Sequence, residues 1–368
     1  MTELNLEQIR NFRLHSHHLD AFYTKEDLIA AAGACGMQNS PPGAWETALY
    51  NRIPSCSQED MNHFLYQERC LLQAWSLRGA PVVFPEEESD VFLSALIPQE
   101  DEPWIYTQGI SLALDFLQMS FEELLPMLKQ VMPRLNGKTI VTKSALDQTL
   151  AEWMLPLLPE EKKTLWNHPS MYGSPDKQTV GGAVVSFLLR PWTGHPLENQ
   201  GEGEKELVRK FLHCYGPATP ASFEGWLGCS GKQARRMWKA VSEEMEPVKA
   251  AGKNAWILSE DKACLLSPES LQRELLLLGG HDPYLDQRDR SILQPDKSLH
   301  KQIWKMVANP GTVVYRGEII GIWTSKKKSR GMEMKITLWN GFQDKEKISV
   351  LAEEYADFRQ QKLIGIEF

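Results

Sequence analysis

The stretch 217–259, PATPASFEGWLGCSGKQARRMWKAVSEEMEPVKAAGKNAWILS, constrains the fold more than any other part of the chain. Thr219 reads as a helix N-cap, and Pro220 sits in the first turn, where its missing N–H costs nothing. Phe223, Trp226 and Leu227 form the inward stripe of that helix. Gly228 breaks it, and Ser230 opens a second helix that the pattern extends to about Met245, with Pro247 ending it. Two β-prone runs, 248–250 and 255–258, follow, joined by a turn at Gly252–Asn254. Helix, tight turn, helix, hairpin is the order of a winged helix-turn-helix.

The second helix has two faces. Lys232, Arg235, Arg236 and Lys239 share one side, and Ala234, Met237, Trp238 and Val241 supply a buried stripe on the other. A basic face on the second helix suits phosphate contact and entry into the DNA major groove. It equally suits a solvated helix surface, where Lys and Arg are common. Periodicity alone leaves both readings open.

A chain of 368 residues makes two to four domains, and 42% hydrophobic residues can bury real cores. No run of eighteen apolar residues exists, so no membrane span is expected. The polar N-terminal stretch has no apolar signal core, and nothing in it suggests export. The six cysteines (35, 56, 70, 214, 229, 264) are scattered without a C-x-x-C pair. That points to reduced thiols in a cytoplasm, with neither a disulfide nor a zinc site expected. A net charge of −8 argues against a nonspecific coat on nucleic acid. A localised basic cleft remains compatible with acidic runs such as 85–90 and 98–103.

The segment 1–105 reads as helices followed by a hairpin. Helix 6–19 carries Ile9, Phe12 and Leu19. His15, His17 and His18 crowd its end, but no Cys or acidic partner has ligand spacing beside them, so a polar helix terminus is the expected reading. Thr24 caps a helix with Leu28, Ile29 and Ala32. A break at 33–42 precedes a helix with Trp45, Leu49 and Ile53. Helix is expected through 65–77 and a strand or hairpin at 79–84. In 106–199 the pattern gives a helix at 121–132, a short strand at 137–141, a helix from Thr142 through Leu155, and a β-prone wing strand at 180–189. The run 198–206 reads as a linker. Helix–helix–hairpin logic thus occurs three times, at 1–105, 106–199 and 200–266.

Beyond 259 the character changes. A helix is expected at 268–278. The remainder, 267–368 taken as a domain, reads as a small antiparallel β-barrel with strands at 312–315, 318–324, 332–339 and 347–351, and partial helix at 350–358. Lys326, Lys327, Lys328 and Arg330 sit on one hairpin tip, which can touch phosphates or be a solvated loop. The expected class is therefore α+β: three tandem winged helix-turn-helix units and a C-terminal barrel.

Three stretches, YGPATPASFEGWLG at 215–228, HDPYLDQRDR at 281–290 and NPGTVVYRGEIIGIW at 309–323, together resemble the AlkZ-like family of bacterial winged-helix proteins. Members of known activity are DNA glycosylases that excise bulky alkylated or crosslinked bases. The resemblance spans nearly the whole chain and is strongest after 215. It implies three winged helices in a C shape with a C-terminal barrel and double-stranded DNA as partner; a monomer with no cofactor or metal is expected. The family's catalytic signature is a glutamine, a hydrophobic residue and a second glutamine or aspartate, just after a glycine. Here Gly36 and Met37 precede Gln38, Asn39 and Ser40, so Gln38 fills the first place and Ser40 the second. A second family stretch, Trp then Arg-Gly-Thr-x-His, is matched by Trp75, Arg78 and Gly79, with the Thr and His replaced.

Those departures bear on chemistry. Breaking an N-glycosidic bond builds positive charge on the sugar and needs a water aimed at the anomeric carbon. Two amide oxygens can do both for a cationic base, whereas Gln38 with the Ser40 hydroxyl does so more weakly. On the resemblance, Gln38 orients water, Ser40 assists, and Arg78 contacts phosphate near the lesion. The competing expectation is a DNA-binding protein without chemistry, a damage sensor or regulator. A weaker third is a protein-interaction scaffold.

Overall fold

A computed structural model of the chain describes residues 1–99, 101–103, 108–169, 179–188, 200–286, 289–305, 308–339 and 341–368. It divides into two compact units, one made of 1–96 with 197–368, the other of 97–196. The described strands are β1 (Thr2–Leu4), β2 (Met37–Gln38), β3 (Leu71–Trp75), β4 (Pro81–Pro85), β5 (Met245–Ala250), β6 (Lys253–Leu258), β7 (Leu275–Leu278), β8 (Gly311–Tyr315), β9 (Glu318–Lys328), β10 (Gly331–Leu338) and β11 (Leu363–Glu367). All lie in the first unit, in three sheets.

The stretch 217–259 folds as its pattern dictates. Thr219 caps helix Pro220–Leu227, and Gly228 ends it in the left-handed region at φ 71°. Ser230 caps helix Gly231–Lys239 by accepting from the Gln233 N–H at 3.1 Å. That helix stops at Lys239, six residues short of the expected end, because Met245 opens β5 and Pro247 lies inside that strand opposite Trp256. The wing turns at Ala251 and Gly252, both at positive φ, and Ala250 pairs with Lys253. Its far edge comes from an unexpected source: β1 pairs in parallel with β5, Leu4 beside Ala250. Phe211, Phe223, Trp226 and Trp238 fill the core beneath.

In 1–96 the sheet order is β2-β4-β3, wholly antiparallel, with Gln38 opposite Val82. The helix expected across 65–77 ends at Glu68. Arg69 takes φ 61° and the chain turns into β3. Asn5 and Gln8 form a capping box on helix Leu6–Ser16. Arg13 of that helix is fully buried, and its guanidinium donates to the carbonyls of Tyr215 at 2.5 Å and Gly216 at 3.0 Å. It thereby satisfies acceptors at the C-terminal end of helix Gln200–Tyr215. That helix occupies residues 200–206 of the expected linker, the rest of which lies outside the described residues.

The C-terminal sheet is open, in the order β11-β10-β9-β8-β7, which corrects the barrel expectation. Two elements explain why it does not close. Helix Lys345–Phe358 takes the place of a strand at 347–351 and lays Ile348, Ala352, Tyr355 and Ala356 on one face. The opposite face is covered by Leu14, Leu19, Tyr284, Leu285 and Leu293. With both faces buried, closure gains nothing. β11 also adds in parallel to β10, so the sheet is mixed. The helix expected at 268–278 is absent: 275–278 is β7, whose Leu276 and Leu278 enter one core while Leu277 enters the other. A short apolar run buried on both sides carries no period that distinguishes strand from helix.

In the unit 97–196 the wing strand expected at 180–189 is helix Val180–Leu188, with residue 189 outside the described residues. Val180, Val184 and Val185 are buried with Leu150, Met154 and Trp166. Gly181 lets the backbone approach Trp166, where an added Cβ would lie 2.3 Å from the ring. No strand forms at 137–141 either, and Val141 is 91% exposed. Among the described residues of this unit only an isolated bridge, Pro169 to Thr179, has β pairing. The described residues therefore do not carry the expected count of three winged units.

Candidate active site

Gln38 ends β2 and lines a recess in the first unit with a cavity volume of about 140 Å³. Ordered water needs roughly 10–15 Å³ of such volume, so the recess has room for several. Arg78, Trp226, His281, Asp286, Arg290 and Lys305 contribute to its wall. The Gln38 carboxamide donates from Nε2 to the Ser40 carbonyl at 3.0 Å and to His281 Nδ1 at 3.2 Å. Both N–H bonds are thereby used, and Oε1 is the polar atom the amide can offer to the recess.

The His281 contact defines a tautomer. Nδ1 accepts from Gln38, so the imidazole is neutral with its proton on Nε2. Burial supports this by pushing the His281 pKa below its ordinary value. Asp286 opposes that shift and Arg78 reinforces it. His281 is itself held by its neighbour: Asp282 forms a fully buried pair with Arg52, at 2.9 and 3.1 Å, and accepts from the Tyr284 N–H at 3.0 Å. Gly280 must be glycine, because an added Cβ would lie 2.4 Å from the Asn309 carbonyl oxygen.

Arg78 reaches the recess from the turn between β3 and β4, at φ 54°. Its guanidinium donates to the Trp226 carbonyl at 2.5 Å and pairs with the Asp286 carboxylate. Ser40 is not in the recess wall, and its link to Gln38 is through its backbone carbonyl. Asn39, in the place of the signature's hydrophobic residue, is a turn-former: it donates to Gln73 Oε1 at 2.6 Å and accepts from the Gly43 N–H at 2.7 Å.

The other basic residues lie elsewhere. Lys232, Arg235 and Lys239 are exposed on helix Gly231–Lys239. Arg236 shares the helix but makes a two-pronged pair with the buried Glu204, at 2.5 and 2.9 Å. Lys326, Lys327 and Lys328 end β9 and Arg330 sits in the turn to β10, all exposed, with Lys328 3.2 Å from Glu333. None of these eight residues is in the recess wall. Within it Arg78, Arg290 and Lys305 outnumber Asp282 and Asp286, so the local balance is positive in a chain of net charge −8.

His281, Asp286 and Arg290 were not singled out from sequence as site residues, although they lie in the 281–290 stretch that carries the resemblance. A lone His followed by Asp-Pro has no spacing that points to Gln38, 243 residues away.

Among solved structures, Streptomyces sahachiroi DNA glycosylase AlkZ superposes with a TM-score of 0.72 at 17% identity, covering all of both chains, which defines a shared fold. In sequence, the interstrand DNA cross-link repair glycosylase of Streptomyces sahachiroi is 23% identical over 317 residues, covering 78% of this chain and 79% of that one. Residues 31–359 match the AlkZ-like family, described as DNA glycosylase AlkZ-like, and the chain belongs to that family. Among the described residues no helix is long and apolar enough to cross a membrane.

Proposed function

We propose that this protein binds double-stranded DNA and hydrolyses the N-glycosidic bond of a bulky alkylated or crosslinked purine. The observation that carries this reading is the Gln38 carboxamide, held at the recess by Ser40 and His281 with Oε1 left to meet water. In an alkylated, cationic purine the bond from the sugar to the base nitrogen breaks and its electrons neutralise the base. The Oε1 dipole stabilises the charge left on the sugar and aligns a water on the anomeric carbon. Water adds its hydroxyl there and releases one proton to solvent. The cationic surplus of Arg78, Arg290 and Lys305 favours the approach of a phosphate backbone.

Ser40 supports a second reading. With a serine in the signature's second place, and outside the recess wall, the site departs from the family's pair of groups, as a non-catalytic damage sensor would have it. Release of a 7-alkylated purine from duplex DNA separates the two. The enzyme reading expects release that falls at least about a hundredfold in Gln38→Ala with duplex affinity kept. Several alkylated duplexes bound but none cleaved above background would leave the sensor.

A further inference from the structure

The two histidine and cysteine groups that the sequence leaves unconnected meet in the fold. His17 follows helix Leu6–Ser16, Cys35 follows helix Leu28–Gly33, and Cys214 lies in the last turn of helix Gln200–Tyr215. All three are buried, and one ligand atom from each, two sulfurs and an imidazole nitrogen, lie within 4.8 Å of one another. Cys35 Sγ is 3.7 Å from His17 Nδ1. From these three side chains we infer a binding site for a divalent cation of the zinc class, beside the Gln38 recess, whose wall includes Cys35.

Geometry and donor chemistry carry the inference. Zinc–sulfur bonds of about 2.3 Å and zinc–nitrogen bonds of about 2.0 Å set the edges of a tetrahedral site at roughly 3.5–3.8 Å. The Cys35–His17 sulfur–nitrogen edge already has that length, and no separation need shrink by more than about 1 Å. Two thiolates and an imidazole favour zinc over magnesium or calcium, which take oxygen ligands. Binding releases the two thiol protons to solvent, and the thiolates then cancel the cation's charge, as a dry site requires. The His17 ring stands edge-on to Tyr215 and Tyr284, at 5.1 and 5.5 Å, which holds its Nδ1 beside Cys35. The Cys214 thiol meets the Cys35 thiol and lies 3.3 and 3.8 Å from the Ala34 and Ser16 carbonyls. Cys35 leads through Gly36 into β2, so a cation here ties the root of the Gln38 strand to helix Gln200–Tyr215 and acts as a positioning device.

The test uses the full chain, reduced, stripped with chelator and titrated with Co²⁺. One equivalent is expected to give thiolate-to-cobalt charge transfer with the visible bands of a tetrahedral site, and Zn²⁺ to displace it. Cys35→Ser and Cys214→Ser are expected to weaken binding by more than about tenfold, and Cys56→Ser to leave it unchanged. Zinc is also expected to raise the melting temperature of the unaltered chain, a readout that holds if the variants fail to fold. No charge transfer in the unaltered chain, or a band that survives loss of both sulfurs, overturns the site. Neither result depends on whether the protein releases bases.

Discussion

Two basic regions of this molecule are built in opposite ways. The helix Gly231–Lys239 gathers its cations within one short run of sequence and turns most of them to solvent. The Gln38 recess gathers its cations from residues 78, 290 and 305 and commits Arg78 to Asp286 and a backbone carbonyl. A surface needs only periodicity. A site needs distant segments fixed against one another, and buried pairs do the fixing. The helix is therefore suited to affinity and the recess to geometry, a division that mutation can break.

The largest effect is expected from Arg52→Met. It leaves the Asp282 carboxylate buried and unpaired, at a cost of about 3–5 kcal/mol. Denaturant unfolding reads it directly; a loss below about 1 kcal/mol would mean the clamp on the His281 segment is not rigid. Next comes His281→Phe, which keeps the ring and removes the acceptor for Gln38. Base release is expected to fall between about tenfold and a hundredfold, with duplex affinity intact. An unchanged rate would show that the amide is oriented by Ser40 alone.

A pH effect of similar size belongs to His18, whose pKa is lowered to about 4, chiefly by burial and then by Arg52. The unfolded imidazole takes its proton near pH 6.5 and the folded one only near 4, so this stability is full above about 6.5 and is lost as pH falls towards 4. By pH 5 the loss is roughly 2 kcal/mol, partly offset by His15, whose pKa is raised by its hydrogen bond to Asp20. Unfolding of His18→Phe at pH 7.5 and 5 should show a flatter dependence than the parent. The smallest effects concern the helix. Arg235→Ala or Lys239→Ala should each lower the salt slope of duplex binding by about 1 and leave base release from bound DNA alone. Arg236→Ala should instead cost stability, through Glu204. Slopes unchanged in the first two variants would remove this helix from the interface.

What the sequence discloses follows the same division. The winged order at 217–258 is legible because caps, breaks and stripe lie within a few residues of their partners: Thr219 with Ser222, Ser230 with Gln233, Ala250 with Lys253. Gln38 is legible only through a family signature, since a single glutamine before two prolines otherwise reads as a turn. His281 and the Cys35–Cys214 approach are invisible to any local window. The wrong strand at 180–189 has a different origin. Its valines are β-prone, but the faces offered by Leu150, Met154 and Trp166 reward a helical stripe, and tertiary packing decides. The open sheet likewise turns on helix Lys345–Phe358, which competes with closure from outside the strands.

The pairing of Leu4 with Ala250 has a consequence for synthesis. Ribosomes add about 5–20 residues per second, so the earlier strand waits on the order of 10–50 seconds for its mate to be made. Throughout that interval Leu4, Ile9 and Phe12, which end up buried, have no core to enter. A nascent chain of this kind needs a chaperone or a slow-to-aggregate leader more than one whose domains close in the order they are translated.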